Sequence, residues 1–121
     1  MAEGWGPTAA NSTLDTICAA YPWLKLHVGA PGSAGTSNPA TETTRKEISY
    51  AAASGGAIAS DAQAQWTNVA GSETYTKCTF WTLSAAGTFG FSGSVTANPV
   101  TAGDTFTIES GDVDATLTLA S

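Results

Sequence analysis

Charged side chains make up only 12% of the 121 residues, about half the usual share. Basic residues are scarcest: Lys25, Arg45, Lys46 and Lys77 are all there are, against ten acids, and the net charge is −6. Phosphate binding needs clustered Lys and Arg. Only Arg45 and Lys46 adjoin, and Glu42 and Glu47 flank them, so direct nucleic-acid binding is not expected. An acidic surface of this kind keeps copies soluble and suits docking on a basic partner. No apolar run approaches the roughly 18 residues of a membrane helix. The start, "MAEGWGPTAA", lacks the basic and apolar regions of a signal peptide, so folding in a cytoplasm without membrane insertion is expected. Cysteine is equally sparse. Cys18 and Cys78 show no CxxC spacing and read as buried thiols in a reducing compartment, although pairing between them stays open. Two cysteines and the lone His27 do not compose a zinc site, and no motif calls for a cofactor.

What is plentiful is Ala, Thr, Ser and Gly, a composition of short strands and turns. One helix is predicted over Thr8–Tyr21, with Leu14, Ile17, Cys18 and Tyr21 on one face. Thr8, Asn11 or Ser12 would cap it and Pro22 would end it. Period-two alternation then predicts a half-buried strand from Trp23 to Val28, with Leu24, Leu26 and Val28 on one face and Trp23, Lys25 and His27 on the other. The following "GAPGSAGTSNPATE" is a loop by composition. It is expected on the surface or reaching to a neighbour, and it has no lysine or phosphate-loop pattern.

Further strands are expected at Arg45–Ala51, Ala57–Ser60, Gln65–Val69, Thr74–Leu83, Thr88–Ser92, Thr105–Glu109 and Val113–Leu119. Thr74–Leu83 carries aromatics on both faces and should lie centrally between two layers. "NPVTAGD" reads as a turn. About eight short strands with one N-terminal helix predict a mainly β chain, an antiparallel β-sandwich or barrel-like fold. The chain divides into an N-terminal arm, residues 1–8, and a single domain, residues 9–121. Gly4, Gly6 and Pro7 break helix and strand alike, so an ordered arm requires a partner surface.

No catalytic set emerges. His27 is the sole candidate base, no GxSxG elbow occurs, and His27 is expected to be a strand residue rather than a catalytic one. The acids fall mostly in turns, where they cap and solvate. "ESGDVD", residues 109–114, is the densest acidic stretch, but its spacing is not that of a calcium loop. The four tryptophans could stack a sugar, yet core or interface packing is their commoner use. Trp5, outside any predicted strand, and Trp23 are the interface candidates.

Two stretches, "WLKLHVGAPGSAGTSNPATETTRKEISY" and "WTNVAGSETYTKCTFWTLSAAGTFGFSGSVTANPVTAGDTFTI", resemble small virion proteins of actinobacterial phages. The shared features are an L-x-L-H strand end at Leu24–His27, a Pro-Gly-x-x-Gly loop at Pro31–Gly35 and a Gly-Asp-Thr turn at Gly103–Thr105. Relatives often carry Trp-Asp where this chain has Trp81-Thr82. Such proteins are labelled tail fibre, minor tail or minor capsid components. The resemblance implies a non-enzymatic virion structural protein with no catalytic residues. Compactness and the lack of coiled coil or repeat favour a minor capsid (decoration) protein on the particle surface, a homotrimer bound to the major capsid protein or other virion proteins. The alternative is a tail-fibre or tail-tip module for host adhesion.

Overall fold

The computed structural model describes residues 4–120. Met1–Glu3 of the expected arm and Ser121 lie outside them. Helix α1, Pro7–Ala20, precedes eight strands: β1 Trp23–His27, β2 Lys46–Glu47, β3 Ala57–Ala59, β4 Ala64–Trp66, β5 Glu73–Trp81, β6 Phe89–Val100, β7 Phe106–Ile108 and β8 Asp114–Thr116. The helix thus starts inside the segment read as an arm. Gly6 caps it in extended conformation, and Pro7, whose φ is already helical and whose missing N–H is not needed there, takes the first helical position. No side chain caps it. Asn11, one of the expected caps, instead accepts the Gly56 N–H at 2.9 Å.

The main sheet is antiparallel in the order β2-β1-β5-β6. Leu24 and Leu26 on β1 lie opposite Phe80 and Cys78 on β5. These four are buried together with Trp66 and Phe106 from the two-stranded β4–β7 ribbon, which forms the second layer. Phe91 of β6 stacks on Phe80 with ring centroids 4.6 Å apart. Tyr75 meets Phe106 edge-on at 4.9 Å. By alternation Tyr75 should share a face with Thr79 and Trp81. It joins the core instead, at the point where the β5–β6 register shifts. The result is a layered antiparallel fold rather than a closed barrel.

A second, smaller core joins α1 to the β3–β8 ribbon through Leu14, Cys18 and Ile58. The buried helical stripe is Ala10, Leu14 and Cys18, while Ile17 is turned outward. The Asp15 carboxylate accepts the Ala53 N–H and fixes the helix to the turn before β3. Tyr50 packs against both cores.

Two differences from the sequence reading matter for function. The loop after β1 does not project. Val28 N–H donates to the Asn38 carbonyl and Ala40 N–H to the Leu26 carbonyl, closing the loop at its base. The loop then folds over the second face of the main sheet, with Pro31 and Gly35 buried. Gly35 has φ +73°, and a Cβ there would sit 2.6 Å from the Phe89 ring. The central strand is therefore covered by a sheet layer on one side and by its own chain's loop on the other. The second difference is β6, which continues through Asn98 and Pro99 to Val100. Proline is tolerated because β6 is an edge strand, where one side of the backbone needs no ladder partner.

Candidate functional site

His27 is fully buried, as is Thr79. The imidazole Nδ1 lies 2.9 Å from the Ser37 carbonyl oxygen. A carbonyl only accepts, so Nδ1 carries the proton and Nε2 is the acceptor. Nε2 accepts from the Thr79 hydroxyl at 2.9 Å, and that hydroxyl accepts the Trp81 Nε1–H at 2.7 Å. The donors and acceptors form one consistent chain, Trp81 to Thr79 to His27 to the loop backbone. Burial lowers the His27 pKa below 6.5; the Ser37 carbonyl opposes that shift and the Lys25 charge adds to it. The ring therefore stays neutral. Neither bonding partner is a carboxylate, and the hydroxyl it meets is sealed from solvent. The arrangement pins the loop to the sheet.

Arg45 completes this face. Its guanidinium lies 4.4 Å from the Trp81 ring centroid and donates to the Leu83 and Ala86 carbonyls at 2.9 and 2.7 Å. The aromatic face and two carbonyls replace part of its hydration. Trp81 also meets Phe89 at 5.4 Å. Glu42 and Glu73 do comparable work elsewhere on the loop: Glu73 accepts the Thr41 and Glu42 N–H groups, and Glu42 accepts those of Thr44 and Ala70. Composition gave no sign of this acidic staple, because the groups that complete it are backbone amides, most of them distant in sequence.

The tryptophans do not assemble a platform. Trp66 is core and donates its indole N–H to the Thr44 carbonyl at 2.8 Å. Trp81 belongs to the His27 chain. Trp23 is half-buried on β1, in register with Glu47 and Trp81. Trp5 is 43% exposed, but its backbone is not loose. Its N–H donates to the Thr118 carbonyl and its carbonyl accepts from Ala120, both at 2.8 Å. The surface that orders this segment is thus the chain's own C-terminal stretch, which corrects the expectation that ordering needs a partner. The two interface candidates are not brought together by any strand pairing.

Cys18 and Cys78 are buried and unbonded to one another. Burial raises both thiols, Cys78 to about 11, so neither is an activated nucleophile. Glu109, Asp112 and Asp114 are exposed. No group of three or more potential metal-ligating side chains converges among the described residues, and no helix among them is long and apolar enough to cross a membrane.

A concave feature lies beside β6, and the sequence did not announce it. Beside β6 the two layers part, leaving a groove of about 680 Å³ between Val95–Asn98 on one wall and Ile108 and Asp112–Asp114 on the other, floored by Leu24, Phe80 and Phe106. Its sequence signal is faint: an uncharged strand, "FGFSGSVTANPV", followed closely by acids.

No curated protein matches the sequence. A family model described as podophage GP4 fiber I protein gp80 matches residues 8–116, which takes in α1 from its second residue, all eight strands, the His27 loop and both walls of the groove. The earlier resemblance to phage virion proteins agrees with this match, without its restriction to phages of actinobacteria. The match covers nearly the whole chain, and it leads to one conclusion: the chain belongs to the podophage GP4 fiber I protein family and is a phage virion structural protein.

Proposed function

We propose that this chain is a non-enzymatic module of the fibre or tail-tip apparatus on the outside of the particle, engaged in attachment to the host surface. The observation that carries this reading is the match of residues 8–116 to a family described as a fibre protein. The geometry supports it. The only histidine is sealed and spent on holding a loop, the thiols are buried, and the surface is sparing in charge. A fibre gains length by joining modules, so a compact unit can serve in one when its surfaces engage other chains. Exposed Trp5 supports assembly of copies, with a homotrimer as the expected state, because closed symmetry buries such groups.

A second reading is favoured by compactness. Among the described residues the helix has 14 residues and the longest strand 12, and neither a coiled coil nor a repeat provides reach. That suits a minor capsid (decoration) protein bound to the major capsid protein and stabilising the shell through many modest contacts. The resemblance to actinobacterial phage proteins supports a host in that group under either reading. The test is immunogold labelling of purified particles, using antibody against the folded domain. Gold at the tail end, with fewer particles adsorbing to cells when antibody is bound, is expected. Gold distributed over the head would favour decoration, and unlabelled particles by both microscopy and immunoblot would reject both positions.

A further inference from the structure

We propose that the β6 edge and the groove beside it form a docking site for an extended, basic segment of another virion protein, added as a strand. The proposal rests on the reading above for where the partner resides; the surface itself is argued from geometry.

The two edges of the main sheet are unlike. At one edge lies β2, two residues long and bordered by charge: Arg45, Lys46 and Glu47. Short, charged edges are how β-proteins prevent unwanted pairing. At the other edge lies β6, twelve residues without a single charged side chain. It has a strand neighbour on one side only, and none of its residues bonds to backbone outside the β5 pairing among the described residues. Register shifts next to Phe89 and between Ser94 and Asn98 interrupt it, leaving Phe91–Ser94 and Asn98–Val100 as the regular stretches. Unpaired N–H and C=O groups along such an edge can hydrogen-bond an added strand, while pockets for alternate side chains select it. The groove provides the pockets: one side of an added strand would face Leu24, Phe80 and Phe106.

The rim decides which strand. Asp112 and Asp114 line the groove, and Glu109 stands exposed in the same turn. The turn is preorganised by Ser60, whose carbonyl and hydroxyl receive the Gly111 N–H at 2.8 and 3.1 Å and whose N–H donates to the Val113 carbonyl at 2.8 Å. No cation lines the groove. Lys77 is engaged with the Ser94 hydroxyl at 3.1 Å and is not among the residues that line the groove, and Lys25, Arg45 and Lys46 lie on or beside β1 and β2 at the far side of the sheet. Two copies meeting edge to edge through β6 would bring two acidic rims together. A segment with alternating apolar residues and a Lys- or Arg-rich end instead satisfies edge, floor and rim at once.

The test uses the isotope-labelled full chain and synthetic peptides of about ten residues, alternating Val and Thr as strand formers do. One ends in Lys-Lys, a second ends in Glu-Glu, and a third is the Lys-Lys peptide with alternate amides N-methylated. The expected result is that the Lys-Lys peptide shifts and protects the β6 amides, that the other two bind at least about fivefold more weakly, and that D112N/D114N lowers affinity for the Lys-Lys peptide by about fivefold and flattens its salt dependence. Three results would overturn the proposal: no perturbation of β6 at millimolar peptide, equal binding of the Glu-Glu peptide, or concentration-dependent self-association that protects β6, which would make a second copy the occupant. Particle labelling is scored separately. Labelled particles with no peptide binding would end this proposal and leave the virion role standing, whereas peptide binding by a chain absent from particles would do the reverse.

Discussion

Replacing Thr79 by Val keeps the shape of the side chain and removes one oxygen. That oxygen serves two buried partners, His27 Nε2 at 2.9 Å and Trp81 Nε1 at 2.7 Å. Thr79 and His27 are fully buried and Trp81 is 7% exposed, so water does not replace the lost bonds. A buried polar group left unpaired costs about 1–3 kcal/mol. Two such groups predict a loss of about 2–6 kcal/mol, a large part of the ~5–15 kcal/mol by which domains are stable. Thr79→Ser is the control: it keeps the hydroxyl and gives up one methyl, about 1 kcal/mol. Urea unfolding followed by tryptophan fluorescence measures both, with an unchanged slope confirming that the unfolded state is the same. Near-ultraviolet circular dichroism reports whether Trp81 keeps its asymmetric environment. A Thr79→Val protein within about 0.5 kcal/mol of wild type, or no weaker than Thr79→Ser, would refute the view that a continuous polar chain locks the loop.

The same chain predicts a pH dependence. Burial holds the folded-state pKa of His27 below its unfolded value, so its contribution is fully present above the unfolded value, about pH 6.5, and is lost as pH falls through the folded value. Denaturation between about pH 7 and 5 should show a steeper acid loss for wild type than for His27→Gln, whose amide can still donate and accept; identical slopes would contradict it. Tyr75 has a buried hydroxyl with no partner among the described residues, and burial lifts its pKa to about 12. Tyr75→Phe should therefore leave stability unchanged or raise it by about 1 kcal/mol, seen as a Tm gain of up to about 6 °C, and a clear fall would reveal a bond to that hydroxyl. Gly35→Ala combines a positive φ with a clash against Phe89, so a loss of about 2 kcal/mol or more is expected in urea melts, against little change for Ala34→Gly in the exposed part of the loop. Trp5→Ala should reduce particle occupancy while lowering Tm by no more than about 3 °C, since the bonds that hold this segment are backbone bonds; full occupancy in immunoblots of purified particles would remove Trp5 from the interface.

Much of the fold could be read from the chain because periodicity and local breakers agree. Pro22 ends α1, the alternation at Leu24 and Leu26 marks the core face of β1, and each expected strand overlaps an observed one. Where the reading failed, packing outweighed composition. "GAPGSAG" has the composition of a surface loop and much of it is exposed, yet Pro31 and Gly35 are buried, Gly35 lies against Phe89, and Ser37 just beyond bonds His27; the aromatics on the second face of β5 were the sign that something must cover them. "NPV" has the composition of a turn, yet an edge strand has no use for the missing proline N–H. The buried helical stripe is Ala10, Leu14 and Cys18, with Ile17, nearer the C-terminal end, left exposed. His27 was correctly placed in a strand ending in a loop, but its bonds to Ser37 and Thr79 join positions far apart in sequence. The groove was invisible for the same reason: its walls come from β6 and from the turn after β7.

The central claim is that this chain is a built-in part of the outside of a phage particle, at its fibre or tail end. A cryo-EM reconstruction of the intact particle, with focused refinement of both the tail and the shell, tests it most directly. The account predicts density that fits the four-stranded sheet and its two ribbons within an external tail appendage, with copies related by closed symmetry and an additional strand lying along β6. Density for the same fold confined to the shell lattice would contradict the fibre position, and a particle without this fold anywhere would contradict the virion role itself.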